Sequence, residues 1–490
     1  MTGPVIELGF AFAAMNSWVP FIPFLQELTL PTVPRFLVAL TAFILPHAVQ
    51  AQVGGDGAEA AFAACADAGA NPALAGTRCA LVSTPLDHAA PAQGAIDLFV
   101  RKFPARGPAQ GELWLIAGGP GESGASFYPF IDTLRAAAPG FDLIVPDHRG
   151  TGYSARLCPA EERAQSDAGM ALEGAEWGSC IGSMHADPQR TQSFTITNAA
   201  HDITLLMDEL GSADRRYLYG VSYGTQLVLR TLAVAPPASL DGVILDSLVP
   251  ADDDMRHDLS RRSRVTDMIG RRVLRQCDAR AECSRYFDRP LEQAVADLLA
   301  DPELSEPLGA NPKYLLAALI DFPETRAILP YVIADLHRGE TAWLDHAKAQ
   351  LGAIQARFAA FPQFGSSIPL VSLISRSENN RRPDLTAEMI AEEEAGLLFA
   401  SPLPRHLLPG GFPTYDPGEA LGRMPASLPP TLVLQGRLDP KTAYDGAAAY
   451  VDRLGARGEI TLSASASAPH YLLMTDPDFF VTEVGAFIGE

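Results

Sequence analysis

The sequence is short of positive charge. Lys and Arg together number 37 against 58 Asp and Glu, which leaves a net charge of −21. A surface of this sign repels phosphate backbones, so nucleic acid is not an expected partner. The chain also has no C-x-x-C pair and no Cys/His cluster at zinc spacing. Neither a metal nor any other cofactor is therefore expected.

The amino-terminal segment lacks an apolar run long enough to cross a membrane. Arg35 precedes the ten-residue run Phe36–Leu45, and Val49–Ala51 supplies small residues of the kind that signal peptidase accepts. A membrane-spanning helix needs about 20 residues. We therefore predict a signal peptide over residues 1–51, export to the periplasm or the exterior, and no stable membrane insertion. An uncleaved anchor or a buried core helix is the alternative. The segment before Val33 fits no part of a signal peptide, and our hypothesis is that translation starts at Val33.

The few cysteines fall into three pairs that are local in sequence. These pairs are Cys65 with Cys79, Cys158 with Cys180, and Cys277 with Cys283. Other pairings are formally open, but close spacing favours the local ones. Disulfides form in oxidising compartments, in agreement with export. Six unpaired buried thiols are the alternative, because free cysteine is often a small core residue.

Short apolar runs alternate with helical patterns, and no internal repeat is visible. The runs typical of buried parallel strands are ELWLIAGG, FDLIVPD, RRYLYGVS, LDGVILDS and PTLVLQGR. Between the second and third, Ile203, Leu206, Met207 and Leu210 recur at helical spacing before Gly211. We predict an α/β fold with a mostly parallel sheet and crossover helices.

The middle of the chain has a different pattern. From residue 251 to 425 it is helical, in segments such as KYLLAALIDF, and strand character returns at PTLVLQG. We predict that residues 52–250 and 426–490 form one sheet-centred core. Residues 251–425 are then a helical insertion between its two parts.

One serine has the context of a catalytic nucleophile. The pattern G-x-S-x-G at residues 220–224 ends a strand-like run and opens a helical run that stops at Pro236. The bare pattern is weak in a glycine-rich chain. A strand, a turn and a helix, however, are the setting in which a strained turn exposes a serine hydroxyl. We predict Ser222 as the nucleophile.

A nucleophilic serine needs a base, and the base needs an acid that orients it. In this setting the acid and the histidine follow the serine in that order. Asp439 and His470 each follow a strand-like run, and no other histidine lies beyond Asp439. The backbone N–H groups of Tyr223 and of Gly119, in the loop LIAGGPGESG, are predicted to bind the oxyanion. A structural histidine and an ordinary glycine-proline turn are the alternatives.

Several motifs together resemble the prolyl aminopeptidase and tripeptidyl aminopeptidase group of α/β-hydrolases. They are GGPG, DHRGTGYS, GVSYGTQL, VILDSLVP and LQGRLDPKT, and TPLDHAAPAQGAIDLFVRKFPA resembles the first strands of the secreted branch. The resemblance runs from about Thr84 to the carboxy terminus. It implies an α/β-hydrolase fold in which residues 251–425 form a cap over a triad of Ser222, Asp439 and His470. The implied reaction removes residues from free peptide amino termini.

The sequence departs from this group at two positions and in the cap. Ala117 stands where prolyl aminopeptidases usually have histidine, and His148 replaces a common glutamine. Acidic cap residues of the group bind the substrate's ammonium, and Glu378, in SLISRSENNRR, is the predicted match. The run Glu392–Glu394 is the other candidate, although a solvated helix face accounts for it as well.

We therefore expect a serine exopeptidase that removes proline, alanine or a tripeptide from peptides through an acyl-enzyme. One alternative is a secreted carboxylesterase or lipase with the same triad. The other is a non-catalytic binding protein, a class that usually lacks a triad residue. Nothing in the sequence predicts an oligomeric state.

Overall fold

The computed structural model describes residues 61–163, 172, 176–361, 363 and 365–489. The predicted signal peptide, residues 1–51, lies outside these ranges. Within them, no helix has both the length and the apolar character that crossing a bilayer requires.

A single sheet is the centre of the fold. Its nine strands in the described part of the chain are β1 (Ala63–Ala64), β2 (Arg78–Pro85), β3 (Ala95–Phe103), β4 (Gly111–Ile116), β5 (Phe141–Pro146), β6 (Arg216–Val221), β7 (Gly242–Asp246), β8 (Thr431–Gly436) and β9 (Ile460–Ser465). They lie in the order β1-β2-β3-β5-β4-β6-β7-β8-β9. The pairs β1–β2, β2–β3 and β3–β5 are antiparallel. All pairs from β5 to β9 along the sheet are parallel. The predicted mostly parallel α/β sheet is confirmed.

The central strands are apolar throughout because helices cover both faces of the sheet. Every residue of β4, β5, β7 and β8 is buried. One face packs against helices Ile196–Leu210 and Tyr223–Val234, and the other packs against Ile131–Ala137 and Pro477–Gly489. The helix predicted around Ile203 is therefore present, and the Thr195 side chain caps it by accepting a hydrogen bond from the Asn198 N–H at 3.0 Å.

A long helical segment separates two strands that are direct neighbours. Val243 of β7 lies opposite Thr431 of β8, and the described residues between these strands form helices, turns and loops without a strand. Their α-helices are Arg262–Asp278, Ala281–Ser284, Leu291–Ala300, Pro302–Ser305, Pro312–Ile320, Pro323–Leu336, Ala342–Ala359, Ile368–Glu378, Ala387–Ala395 and Leu403–His406. Much of the segment has an apolar core of its own, built around Leu316, Val332 and Leu344. We refer to residues 251–425 as the cap; these bounds stay a prediction.

Smaller elements complete the described chain. The other α-helices are Glu176–Ala186, Pro188–Gln192, Tyr444–Leu454 and Leu472–Thr475, and the 3-10 helices are Pro72–Leu74, Pro91–Gln93, Gly124–Phe130, Leu259–Arg261, Glu306–Leu308 and Gly418–Ala420. Disulfides join the three sequence-local pairs, Cys65–Cys79, Cys158–Cys180 and Cys277–Cys283. Each closes a short loop, of which the longest has a sequence separation of 22.

Candidate active site

Ser222 lies in the sharp turn between β6 and helix Tyr223–Val234. Its φ of 55° and ψ of −125° are unfavourable for a residue with a side chain. Hydrogen bonds hold the turn: the Ser222 N–H donates to the Asp246 carbonyl at 2.9 Å, and the Thr225 N–H and hydroxyl donate to the Ser222 carbonyl. The hydroxyl of Ser222 itself makes no hydrogen bond with a described residue. The predicted nucleophile is thus a half-buried residue in a strained turn that its neighbours hold in place.

The two glycines of the motif are required by close packing around the turn. A Cβ on Gly220 would lie 2.5 Å from the Gly224 carbonyl oxygen, and one on Gly224 would overlap the Ile116 carbonyl. The helix therefore approaches β4 and β6 so closely that only glycine fits. The pattern of the sequence reflects this steric requirement.

Asp439 and His470 form a buried hydrogen-bonded pair. The His470 Nδ1 lies 2.8 Å from the Asp439 Oδ2. The other oxygen of Asp439 accepts hydrogen bonds from the backbone N–H groups of Lys441 and Thr442 at 2.7 and 2.8 Å. Burial acts to raise the pKa of Asp439, but the His470 charge and these hydrogen bonds outweigh it, so the pKa is lowered. An ionised carboxylate therefore holds one tautomer of the imidazole.

The loop that carries His470 is tied to the end of β7. The buried carboxylate of Asp246 accepts hydrogen bonds from the N–H groups of Leu472 and Leu473 at 3.0 and 3.1 Å, and the Tyr471 N–H donates to the Ser247 hydroxyl at 2.8 Å. The Asp246 carbonyl holds the Ser222 turn, so residues 246–247 connect the serine turn with the histidine loop. Both residues belong to the VILDSLVP motif, but their role in joining these two segments follows only from the folded chain.

The predicted oxyanion loop lies beside Ser222. A Cβ on Gly118 would come within 3.2 Å of the Ser222 Cβ. Gly119 has a φ of +112°, a conformation that favours glycine. Tyr223 begins the helix after the serine, so its N–H has no acceptor within that helix. Both predicted donors therefore belong to segments that line the same cavity.

This cavity, of about 240 Å³, lies between the core and the cap. Ser222 and His470 both line it, together with cap residues such as Asp321 and Glu378. No hydrogen bond joins the Ser222 hydroxyl to His470 in this structure. Catalytic hydrogen bonds are often loose without substrate, so the shared cavity is compatible with a triad.

Glu378, the residue predicted to bind an ammonium group, forms an ion pair with another residue of the protein. One oxygen accepts a hydrogen bond from Arg230 at 2.7 Å, and the other accepts one from the Tyr415 hydroxyl at 2.6 Å. Glu378 is 1% exposed and Arg230 is 3% exposed. The cavity-lining carboxylate is thus already balanced by a cation of the protein itself.

The run Glu392–Glu394 is also engaged in ion pairs. Glu393 lies 2.7 Å from Arg382, and Glu394 accepts a hydrogen bond from Ser263 at 2.9 Å and pairs with Arg405. Two of the three glutamates therefore connect parts of the cap. Glu392 is exposed, so a solvated helix face accounts for this residue.

Two charged cap residues at the cavity were not found from the sequence. Asp321 follows helix Pro312–Ile320, is 5% exposed and lies 3.5 Å from the Lys441 ammonium. Burial raises its pKa, against the charges of Lys441 and His470. Arg262 begins helix Arg262–Asp278 and is 9% exposed. Neither belongs to a local motif, so only the folded chain brings them to the site.

The DHRGTGYS motif has a supporting position behind the site. The Arg149 guanidinium binds both oxygens of Asp202 at 2.6 and 2.8 Å, and the Asp147 carboxylate accepts hydrogen bonds from Gly124 and Tyr153. His148 packs against the Tyr223 ring with centroids 5.6 Å apart, and burial lowers its pKa to about 4. His148 is therefore neutral at physiological pH.

The chain is similar to a family of known proteins and to several individual ones. Residues 113–477 match the α/β hydrolase fold family. A tripeptidyl aminopeptidase of Streptomyces coelicolor is 30% identical over 205 residues, a match that spans only 36% of this chain and 36% of that protein. The serine protease Hip1 of Mycobacterium tuberculosis is 27% identical over 246 residues, or 46% of each chain. A proline iminopeptidase structure from Mycobacterium smegmatis aligns with 84% of this chain and 98% of that one, at 15% identity and a TM-score of 0.37.

Proposed function

The chain belongs to the α/β-hydrolase family, and from this premise we propose that it is an exported serine exopeptidase acting on peptides with a free amino terminus. The observation that carries the proposal is the Asp439–His470 pair, which opens onto the same cavity as the strained Ser222 turn. The names of the two relatives, tripeptidyl aminopeptidase and serine protease, support the peptidase class. The three disulfides support export.

In the proposed mechanism, His470 removes the proton of Ser222 as the hydroxyl attacks the scissile carbonyl. Asp439 fixes the imidazole tautomer and stabilises the imidazolium. The N–H groups of Gly119 and Tyr223 bind the oxyanion. His470 then gives this proton to the leaving amine. In the second half, His470 takes a proton from the water that attacks the acyl-enzyme carbonyl and returns it to the Ser222 oxygen as the acid product leaves.

The free amino terminus of the substrate needs a carboxylate in the cavity. Glu378 is the candidate from the sequence, but its charge is balanced by Arg230. We propose Asp321 as the stronger candidate, because it lines the cavity near His470 and its ion pair with Lys441, at 3.5 Å, is longer than the 2.7 Å pair of Glu378 with Arg230. Asp321→Asn is expected to raise KM for free-amine peptides with little effect on blocked ones. Glu378→Gln is expected to change stability instead.

The triad proposal can be tested by covalent labelling. A fluorophosphonate probe reacts with an activated serine, and peptide mapping identifies the labelled residue. We expect a single adduct on Ser222 that disappears in His470→Ala. Labelling of another serine, or unchanged labelling in His470→Ala, would count against the proposal. Rapid turnover of acyl esters without cleavage of peptides would favour the esterase alternative, and the absence of any adduct would favour the binding protein.

A further inference from the structure

We propose that Arg262 binds a carboxylate of the substrate, so that peptides carrying an acidic group near the scissile bond are preferred. This inference rests on the proposed function, because it names a substrate class for the same cavity. The carboxylate has two sources, an acidic side chain or the terminal carboxyl group of a short peptide.

Arg262 is held firmly at the edge of the site. It is the first residue of helix Arg262–Asp278, and two neighbours on that helix are fixed. The hydroxyl of Ser263 donates to Glu394 at 2.9 Å, and that of Thr266 donates to the Pro440 carbonyl at 3.2 Å. Pro440 directly follows Asp439. The helix start is therefore tied to the loop that carries the proposed catalytic acid.

The guanidinium of Arg262 is buried at the cavity without a partner. The side chain lines the cavity and is 9% exposed. It makes no hydrogen bond or ion pair with any residue that the structure describes, and its Nε is both buried and unsatisfied. A buried cation in this state is costly unless a ligand pairs with it.

The other cations of the cavity differ in this respect. The Arg381 guanidinium donates to the Asp252 carbonyl at 2.7 Å. Lys441 lies 3.5 Å from Asp321. His257 and His470 each contact an aspartate, Asp254 and Asp439. Among the described residues that line the cavity, Arg262 is thus the cationic side chain left available to substrate.

Nearby carboxylates keep Arg262 charged without using its donors. Burial lowers its pKa to about 10, and Asp439, Asp321 and Asp258 act against this shift. Asp439 is hydrogen-bonded to His470, and Asp258 accepts a hydrogen bond from Ser260 at 2.8 Å. The guanidinium is therefore protonated at neutral pH and keeps its hydrogen-bonding capacity.

The ligand that satisfies such a group best is a carboxylate. A guanidinium presents N–H donors in a planar fork that matches two carboxylate oxygens and also neutralises their charge. A neutral amide carbonyl would accept one hydrogen bond and would leave the guanidinium without a directly hydrogen-bonded anion, since Asp439, Asp321 and Asp258 act on it only through their charge. The acidic surface of the chain opposes the approach of anions, so any preference for them has to arise locally, at Arg262.

The test compares matched substrates in the exported wild-type protein, Arg262→Gln and Arg262→Lys. One pair of 4-nitroanilides has Glu or Gln in the acyl part, and one pair of short peptides has a free carboxyl group or an amide at the carboxy terminus. A third pair, the 4-nitrophenyl esters of glutaric acid (monoester) and pentanoic acid, reports on the anion preference even if no peptide is cleaved. Failure of all amides therefore overturns the peptidase proposal separately from the Arg262 proposal.

We expect wild type to prefer the anionic member of at least one pair by about tenfold or more in kcat/KM. Arg262→Gln should abolish this ratio while the neutral substrates change less than about threefold, and Arg262→Lys should retain part of it. The melting temperature of Arg262→Gln should equal or exceed that of wild type, because an unpaired buried charge is removed. Equal ratios in wild type and Arg262→Gln for all three pairs would overturn the proposal. A marked loss of stability in Arg262→Gln would do so too, since it would show that Arg262 pairs within its own chain.

Discussion

The substitution Glu378→Gln tests whether Glu378, which the sequence predicts to bind the substrate ammonium group, has a structural role instead. Both oxygens of Glu378 are engaged, by Arg230 at 2.7 Å and by Tyr415 at 2.6 Å, and the side chain is 1% exposed. Glutamine keeps the shape but leaves the Arg230 charge with only Asp252, at 3.6 Å. Breaking a buried pair by removing one partner costs about 3–5 kcal/mol. Because Asp252 compensates in part, we expect a loss of about 3 kcal/mol.

The assay is urea unfolding followed by fluorescence, with the exposed Glu392→Gln as the matched control. The control should change the unfolding free energy by less than about 0.5 kcal/mol. In Glu378→Gln, the ratio of kcat/KM for free-amine and blocked substrates should stay as in wild type at a temperature where both proteins are folded. Unchanged stability together with a raised KM for free-amine substrates alone would refute this reasoning and assign Glu378 to the ammonium.

Three further predictions follow from buried groups. His148 has a pKa of about 4 when folded against an ordinary 6.5, so its contribution to stability is present above pH 6.5 and lost as the pH falls toward 4. His148→Gln should therefore lose less stability than wild type over this range, by up to about 3 kcal/mol in urea unfolding; parallel curves would contradict this. Asp246→Asn replaces one of the two oxygens that accept hydrogen bonds from the Leu472 and Leu473 N–H groups with an N–H donor. Because the loop that carries His470 would then be misplaced, kcat should fall by about 100-fold for esters and amides alike while KM changes little. An unchanged kcat would show that the position of His470 does not depend on these hydrogen bonds. Cys158→Ala combined with Cys180→Ala opens a loop with a separation of 22, and we expect a loss of about 3 kcal/mol by denaturation; equal midpoints would argue against it.

The parts of the fold that could be predicted are those with a local physical cause. Strands β4 to β8 are buried on both faces, so they appear in the sequence as continuous apolar runs between Gly, Asp and Pro. Gly220 and Gly224 indicated the serine turn in the sequence because its close packing permits no Cβ at either position. Asp439 and His470 follow β8 and β9, and because these strands are parallel neighbours, the loops after them meet at one edge of the sheet.

The parts that could not be predicted depend on contacts between distant segments. Arg230 and Glu378 are separated by 148 positions in the chain, and no sequence pattern around either residue indicates that they form an ion pair. Arg262 lies at a helix start and Asp321 at a helix end within the cap, where the helix dipole favours the opposite sign of charge, but neither residue belongs to a sequence motif that indicates a site. Their position at the cavity follows only from how the cap packs on the core.

The most direct test of the central claim is the cleavage of matched chromogenic substrates by the purified protein and by Ser222→Ala. The set comprises free and amino-blocked prolyl, alanyl and tripeptidyl amides, together with short acyl esters. We predict cleavage of free-amine amides, little cleavage of blocked ones, and loss of activity in Ser222→Ala. Turnover of esters with every amide intact would contradict the exopeptidase assignment, and amide cleavage that survives in Ser222→Ala would contradict the proposed nucleophile.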